Sequence, residues 1–280
     1  MTRAGTRVAA LQLAPVVGEL AANSARATDA LERALNAGAD VVVLPELVTS
    51  GYVFESMAEA RSLALAPDDA LFGTWAALAA RRGSIVVAGF AELGDGDRLY
   101  NSAAVIGSGG VLAVYRKAHL WNEEKNFFTA GDDRPPVVET EHGRLGVMIC
   151  YDLEFPEWTR IAALSGTDIL AVPTNWPLVD RPAGERAPEV QIGIAAARVN
   201  RMAVVAADRS GTERGVDWTE GTTIIDADGR VVDVAGAGIG EAWADLDPAR
   251  SRDKTLTPLA DAHGDRRPEL YCGLSEPAEQ

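Results

Sequence analysis

Short, mostly apolar runs recur along the chain at residues 7–13, Val41-Val42-Val43-Leu44, 84–90, 145–149, 168–172 and 202–207, most of them separated by stretches with helical spacing. A strand covered on both faces loses the alternation of a half-exposed strand, so these runs are expected to be strands of a sheet that helices cover. Helices are expected over 23–36, where Ala27, Ala30, Leu31, Ala34 and Leu35 share a face before Gly38, and over 69–82, 156–165 and 188–200. Pro156 suits the first turn of the third, because the missing N–H has no partner there in any case.

The turn chemistry fills in the remainder. Gly107-Ser108-Gly109-Gly110 is expected to join two strands in a hairpin, Asp95-Gly96-Asp97 to form a turn, and residues 222–234 to form a hairpin turning at Asp226-Ala227-Asp228-Gly229. Residues 241–246 read as a last strand, after which charges and prolines increase. Strands alternating with helices, with no clean linker, indicate one α/β domain over residues 1–280 in which two sheets pack together beneath outer helices. Its tail, 248–280, is expected to wrap a partner subunit or to fray.

Composition narrows the class. With 280 residues, 47% of them hydrophobic, the chain can bury a large core. No apolar run approaches the roughly 18–20 residues that span a bilayer, and the first strand follows Met1-Thr2-Arg3-Ala4-Gly5 without a secretory apolar region, so a cytoplasmic protein without a membrane partner is expected. Cys150 and Cys272 are too few for a disulfide framework. A formal charge of -15, with no Lys/Arg cluster interleaved with aromatics, opposes nucleic-acid binding.

Three strand ends carry candidate chemistry. Cys150 ends Gly146-Val147-Met148-Ile149, Glu46 follows Val41-Val42-Val43-Leu44-Pro45, and Lys117 ends Val111-Leu112-Ala113-Val114-Tyr115-Arg116. A thiol attacking a carbonyl or nitrile carbon must lose its proton, and the charge that develops on oxygen or nitrogen must be stabilised. Glu46 can take the thiol proton, pass it to leaving ammonia and then activate water; Lys117 can supply positive charge; and the N–H of Tyr151 can supply a second hydrogen bond. Their shared position matters because carboxyl ends of strands build sites in α/β sheets. A bland alternative stays open, in which Glu46 and Lys117 are surface charges and Cys150 is an inert core thiol.

Beyond Lys117, the polar and aromatic stretch Trp121-Asn122-Glu123-Glu124-Lys125-Asn126-Phe127-Phe128 suits a site-forming loop. Glu124 could orient Lys117, hold a substrate amine or position water, and Glu123 could serve equally. His119, His142 and His263 leave a Cys-His hydrolase open. Neither an HExxH motif nor paired CxxC motifs occur, and no Walker sequence occurs, so no metal or nucleotide is expected.

Leu44-Pro45-Glu46-Leu47, Tyr115-Arg116-Lys117-Ala118-His119-Leu120 and Gly146-Val147-Met148-Ile149-Cys150-Tyr151-Asp152-Leu153-Glu154-Phe155-Pro156-Glu157, in this order, resemble the nitrilase or carbon-nitrogen hydrolase superfamily over residues 7–246. The resemblance implies a four-layer α-β-β-α sandwich, commonly dimerised through helices, and hence a homodimer or higher homo-oligomer. Glu157 to Arg160 and Arg198 to Asn200 resemble segments flanking that family's core and dimer interface. By the resemblance Glu46 is the general base and acid, Lys117 stabilises the tetrahedral intermediate, Cys150 forms the acyl intermediate, and Glu124 is the additional glutamate that positions substrate and lysine. It also places the backbone of Tyr151 in the oxyanion hole, and Asn175 and Trp176, in Thr174-Asn175-Trp176, along the substrate pocket. No cofactor is implied. The short segment between Lys117 and Glu124 favours an amidase acting on small aliphatic carboxamides. The alternatives are an N-carbamoyl amine or amino-acid amidohydrolase, a nitrilase, and a catalytically silent binding protein.

Overall fold

The computed structural model describes residues 5–275. In chain order its first half contains β1 (Thr6–Gln12), α1 (Leu20–Asn36), β2 (Val41–Val43), α2 (Met57–Ser62), α3 (Ala70–Ala80), β3 (Ile85–Leu93), β4 (Leu99–Gly107) and β5 (Gly110–Arg116). The second half contains β6 (Val137–Thr140), β7 (Gly143–Val147), α4 (Pro156–Leu164), β8 (Ile169–Pro173), α5 (Pro188–Asn200) and β9 (Ala203–Ala207). It closes with β10 (Thr212–Glu213), β11 (Val216–Asp217), β12 (Thr223–Ile225), β13 (Val231–Val234), β14 (Gly240–Leu246), α6 (Pro248–Arg252), β15 (Thr255–Thr257) and β16 (Ala260–Asp261).

Two six-stranded sheets organise these elements, in the orders β14-β1-β2-β3-β4-β5 and β13-β12-β9-β8-β7-β6. Each has three parallel strands at its centre, β1, β2 and β3 in one and β7, β8 and β9 in the other, flanked by antiparallel neighbours. Alternate side chains of the first sheet divide between two cores. Val8, Ala10, Val41, Val43 and Val87 meet Leu145, Val147 and Ile169 of the second sheet, whereas Ala9, Leu11, Val42 and Leu44 meet Leu31 of α1 and Phe72 and Trp75 of α3. On the far side, Ala162 and Ala163 of α4 and Ala196 and Ala197 of α5 close the second sheet. The order is therefore helix, sheet, sheet, helix, and the continuous apolar runs arise because both faces of each sheet are covered.

Helix boundaries follow the use of particular polar side chains. Asp69 caps α3 by accepting from the N–H of Leu71 at 2.9 Å. The first helix starts a turn earlier than the expected 23, because Asn23 is no cap. Its buried amide instead exchanges hydrogen bonds with both backbone groups of Val16 and donates to Thr49 O, tying the loop before the helix and the segment after β2 to it. The expected hairpin at 226–229 forms between β12 and β13, with Asp226 Oδ1 accepting from the N–H groups of Asp228 and Arg230. Edge strand β6 and helix α2 had no legible periodic signal.

Beyond β14 the described part of the tail docks on its own chain. Arg252 of α6 pairs with the buried carboxylate of Asp168 at 2.8 Å, beside Arg144, and Lys254 donates to the carbonyls of Asn200 and Arg201 at the end of α5. No helix among the described residues is long and apolar enough to cross a membrane.

Candidate active site

Strand direction assembles the site. Because β4 runs antiparallel to both β3 and β5, β5 points the same way as β2 and β3, so Glu46 after β2 and Lys117 after β5 emerge at one edge of the first sheet. In the second sheet β7 leads into Cys150 and β8 into Thr174-Asn175, again at carboxyl ends. The cross-sheet core brings these two edges together.

At the centre lies Lys117, wholly buried, whose Nζ donates to Glu46 Oε1 and to Glu124 Oε1, both at 2.7 Å. Asn101 Nδ2 donates to the same Glu46 oxygen at 2.7 Å, while Glu46 Oε2 is buried with no hydrogen-bond partner. Glu124 accepts in addition from the hydroxyl of Tyr52 at 2.6 Å and, through Oε2, from the N–H of Trp121 at 3.1 Å. Glu123, its neighbour, takes no part in this network and is exposed, its contact being Asn126.

Backbone form presents the thiol. Cys150 opens a 3-10 turn spanning Cys150–Glu154 with φ +46°, a left-handed conformation that a side-chain-bearing residue adopts at a cost of about 1–3 kcal/mol. Asp152 holds that turn. Its carboxylate accepts from the N–H of Ile149 at 3.2 Å and of His119 at 3.0 Å, from the Tyr115 hydroxyl at 2.7 Å, and contacts His119 Nδ1 at 2.7 Å. His119, stacked on Phe155 at 3.7 Å, is thus engaged beneath the turn, His142 contacts Gly83 O, and His263 faces Lys254 and Arg160, so none of the three histidines pairs with Cys150. Tyr151 is the second residue of the turn, and N–H groups of a first turn have no acceptor within it.

Asn175, fully buried, donates to Glu46 O at 2.9 Å, fixing the backbone that carries the carboxylate. Trp176 is buried against Gly221, its N–H held by Asp208 at 3.0 Å. The member of this segment on the wall of the open cavity is Pro177. Close approach of β3 supports Glu46 from the other side. A Cβ on Gly89 would stand 2.5 Å from Glu46 Cα, so only glycine fits there.

Charge follows from this burial. Burial pushes the Glu46 carboxyl up to about 7, with Lys117 opposing the rise and Glu124 adding to it. For Lys117 burial favours the neutral amine, but Glu124 and Glu46 outweigh it and hold the ammonium well above its ordinary range. Burial and then Glu46 push the Cys150 thiol well up, against Lys117 and Thr174, which favour the thiolate. The resting site therefore holds a protonated thiol beside a carboxyl poised near neutrality and a fixed cation. Among the described residues no group of three or more His, Cys, Asp or Glu could hold a metal ion.

A family model for carbon-nitrogen hydrolases matches residues 7–253. The chain belongs to the carbon-nitrogen hydrolase family. It is 37% identical over 267 residues to the nitrilase of Pyrococcus abyssi, covering 95% of this chain and 98% of that one. With the (R)-stereoselective amidase of a Pseudomonas species it shares 32% identity over 285 residues, 96% of this chain and 100% of the relative. A solved double mutant of the amidase from Nesterenkonia sp. AN1, in complex with acrylamide, superposes with a TM-score of 0.79 at 26% identity over 97% of each chain. The layered fold is accordingly the α-β-β-α sandwich of nitrilase-superfamily amidases, and the chain is a hydrolase acting on C–N bonds.

Tyr52 and Asn101 are site residues that sequence reasoning missed. Asn101 had a faint signal, a polar residue inside the otherwise strand-like Leu99-Tyr100-Asn101-Ser102-Ala103. Tyr52 had none, since it lies in an irregular segment and meets Glu124 across 72 residues of chain.

Proposed function

We propose that the chain is an amidase that hydrolyses the C–N bond of small aliphatic carboxamides to carboxylate and ammonia through a Cys150 thioester. One observation carries this reading: Lys117 Nζ bridges Glu46 and Glu124 at 2.7 Å each, leaving Glu46 Oε2 without a partner in the electrostatic field of the Cys150 thiol.

The chemistry follows from the charge states. Because the thiol is held protonated, attack and proton loss occur together, the S–H proton passing to the free oxygen of Glu46 as sulfur bonds to the amide carbon. The oxyanion of the tetrahedral intermediate is met by the Lys117 ammonium and the Tyr151 N–H, both fixed before substrate enters. Collapse breaks the C–N bond, and Glu46 returns the proton to the departing nitrogen. Water then adds to the thioester with Glu46 again as base, releasing carboxylate and restoring the thiol. Glu124, held by Tyr52 and Trp121, keeps the lysine aimed between the two carboxylates. For the Nesterenkonia amidase, acrylamide adds to the active site cysteine in a Glu→Gln variant, which supports the same nucleophile in this fold.

Incubation with short carboxamides, N-carbamoyl amines and nitriles, read by mass spectrometry, tests the assignment. Carboxylate and ammonia with a transient acyl adduct on the Cys150 peptide are expected from the amides. Turnover confined to carbamoyl compounds, releasing amine, carbon dioxide and ammonia, replaces the assignment with the carbamoyl amidohydrolase.

A pH profile follows from Glu46. The base must be ionised to accept the thiol proton, and its carboxyl is held at about 7, so kcat/KM is expected to rise with pH through a midpoint about 7 and to fall tenfold per unit well below it. A profile flat between pH 5 and 8 would contradict Glu46 as the base.

A further inference from the structure

A cavity of about 370 Å3 adjoins the site through Glu124, which lines it and accepts from Lys117 Nζ at 2.7 Å. Half of the lining residues are aromatic: Tyr52, Phe54, Trp121, Phe127, Phe128 and Trp218. They brace one another edge to face. Phe54 meets Phe127 and Phe128 at 5.8 and 5.9 Å, Tyr52 meets Trp218 at 5.4 Å, and Trp121 meets Tyr151 of the nucleophile turn at 4.8 Å. The cavity is therefore held open by ring contacts and lies in the range of about 300–1,000 Å3 common for sites enclosing sizeable ligands. A four-carbon amide fills only a fraction of it.

Its charge is one-sided. Among the described residues lining it the ionisable acids are Glu123 and Glu124, and neither lysine, arginine nor histidine is present. The nearby arginines are already committed, and Lys125, exposed beside Glu124 in the chain, does not line the cavity. Arg209 donates to both oxygens of Glu213 while lying over the Trp218 ring at 4.5 Å, and Arg214 pairs with Glu59 at 2.6 Å. Lys117 serves Glu46 and Glu124. A carboxylate on the substrate would lose hydration against aromatic rings and approach Glu123, with the Lys117 ammonium already engaged by Glu46 and Glu124, whereas an alkyl or aryl group would gain contact with the rings.

We propose that the preferred substrates are carboxamides whose acyl side is apolar, with room for an aryl or branched alkyl group, and carries no carboxylate. This rests on the amidase reading and extends its acyl side beyond small aliphatic groups. Specificity comes from both elements, the aromatic wall that rewards an apolar group and the acids that reject an anionic one. It places amides of dicarboxylic acids and N-carbamoyl amino acids among the poor substrates.

Butyramide, 4-phenylbutyramide and succinamate form a matched set, differing only at the end remote from the amide. For the wild-type enzyme, ammonia release is expected to give kcat/KM at least tenfold higher for 4-phenylbutyramide than for butyramide, and about a hundredfold lower for succinamate. Phe127→Ala is expected to lower kcat/KM for 4-phenylbutyramide severalfold more than for butyramide, shrinking the phenyl advantage, and Glu123→Gln to raise succinamate severalfold. Succinamate equal to or better than butyramide, or no gain from the phenyl group, overturns the proposal. Calorimetric binding of the same three amides to the Cys150→Ala variant separates the two readings. If none is turned over and no adduct forms, the amidase assignment fails, while the binding order in that variant still decides what the cavity accepts.

Discussion

Cys150→Ala is expected to lower amide turnover by about five orders of magnitude or more while the protein stays folded. The size follows from the covalent route. Without sulfur no thioester forms, and groups that act as a unit lose nearly all their joint contribution when the nucleophile is removed. Glu46, Lys117 and the Tyr151 N–H would remain in place with no nucleophile to serve. Folding is affected little, because the substitution removes one buried atom and an alanine at φ +46° is no more strained than the cysteine it replaces. The change in unfolding free energy is expected to stay within about 1.5 kcal/mol. Ammonia release and a thermal melt on the same preparation check both halves. Turnover within tenfold of wild type, with the melt unchanged, would remove Cys150 from the mechanism.

What the sequence revealed of this site was what lies next to strands. Glu46 and Cys150 each follow an apolar run that is continuous because both sheet faces are covered, and Lys117 ends the largely apolar edge strand β5, so the position of each at a strand end was legible from local pattern. The contacts among them were not. The hydrogen bonds from Lys117 to Glu46 and Glu124 depend on β5 running parallel in direction to β2 across two antiparallel steps, a property of sheet order that periodicity does not encode. Asn101 and Asn175 illustrate the same limit. Each buried amide is explained only by an oxygen of Glu46, Oε1 for one and the backbone carbonyl for the other, 55 and 129 residues away. Asp152 shows the reverse case. It was read as part of a motif, and the structure adds the physical reason for it, since one carboxylate gathers Ile149, His119 and Tyr115 around the turn that presents the thiol. The aromatic stretch 121–128 was legible as a site-forming loop, yet its partners Tyr52, Phe54 and Trp218 come from irregular segments elsewhere, so the cavity they form emerges only in three dimensions.

Lys117→Met is expected to abolish activity and, unlike the cysteine substitution, to destabilise the fold in a pH-dependent way. Methionine nearly matches the lysine stem in volume, so the change isolates the charge. Losing the ammonium removes the main electrostatic partner of the developing oxyanion, a loss of at least 10²–10³ in turnover for one donor and more for a charged one. It also leaves Glu46 and Glu124, with side-chain exposures of 0% and 2%, facing one another without a cation. Breaking a buried ion pair from one side costs about 3–5 kcal/mol, which for a chain of this size is a drop in melting temperature of about 10 °C. The penalty depends on protonation. Burial holds the folded-state Glu46 carboxyl above its ordinary value even against Lys117, and removing that opposing cation leaves it raised, so the native variant binds more protons than the unfolded chain between the two values, and its stability falls as pH rises through that window. The variant is therefore expected to melt well below wild type at pH 8 and to recover much of the difference at pH 5. A melting difference equal at the two pH values would show that Lys117 does not neutralise these carboxylates, and with that the charge balance proposed for catalysis would fail.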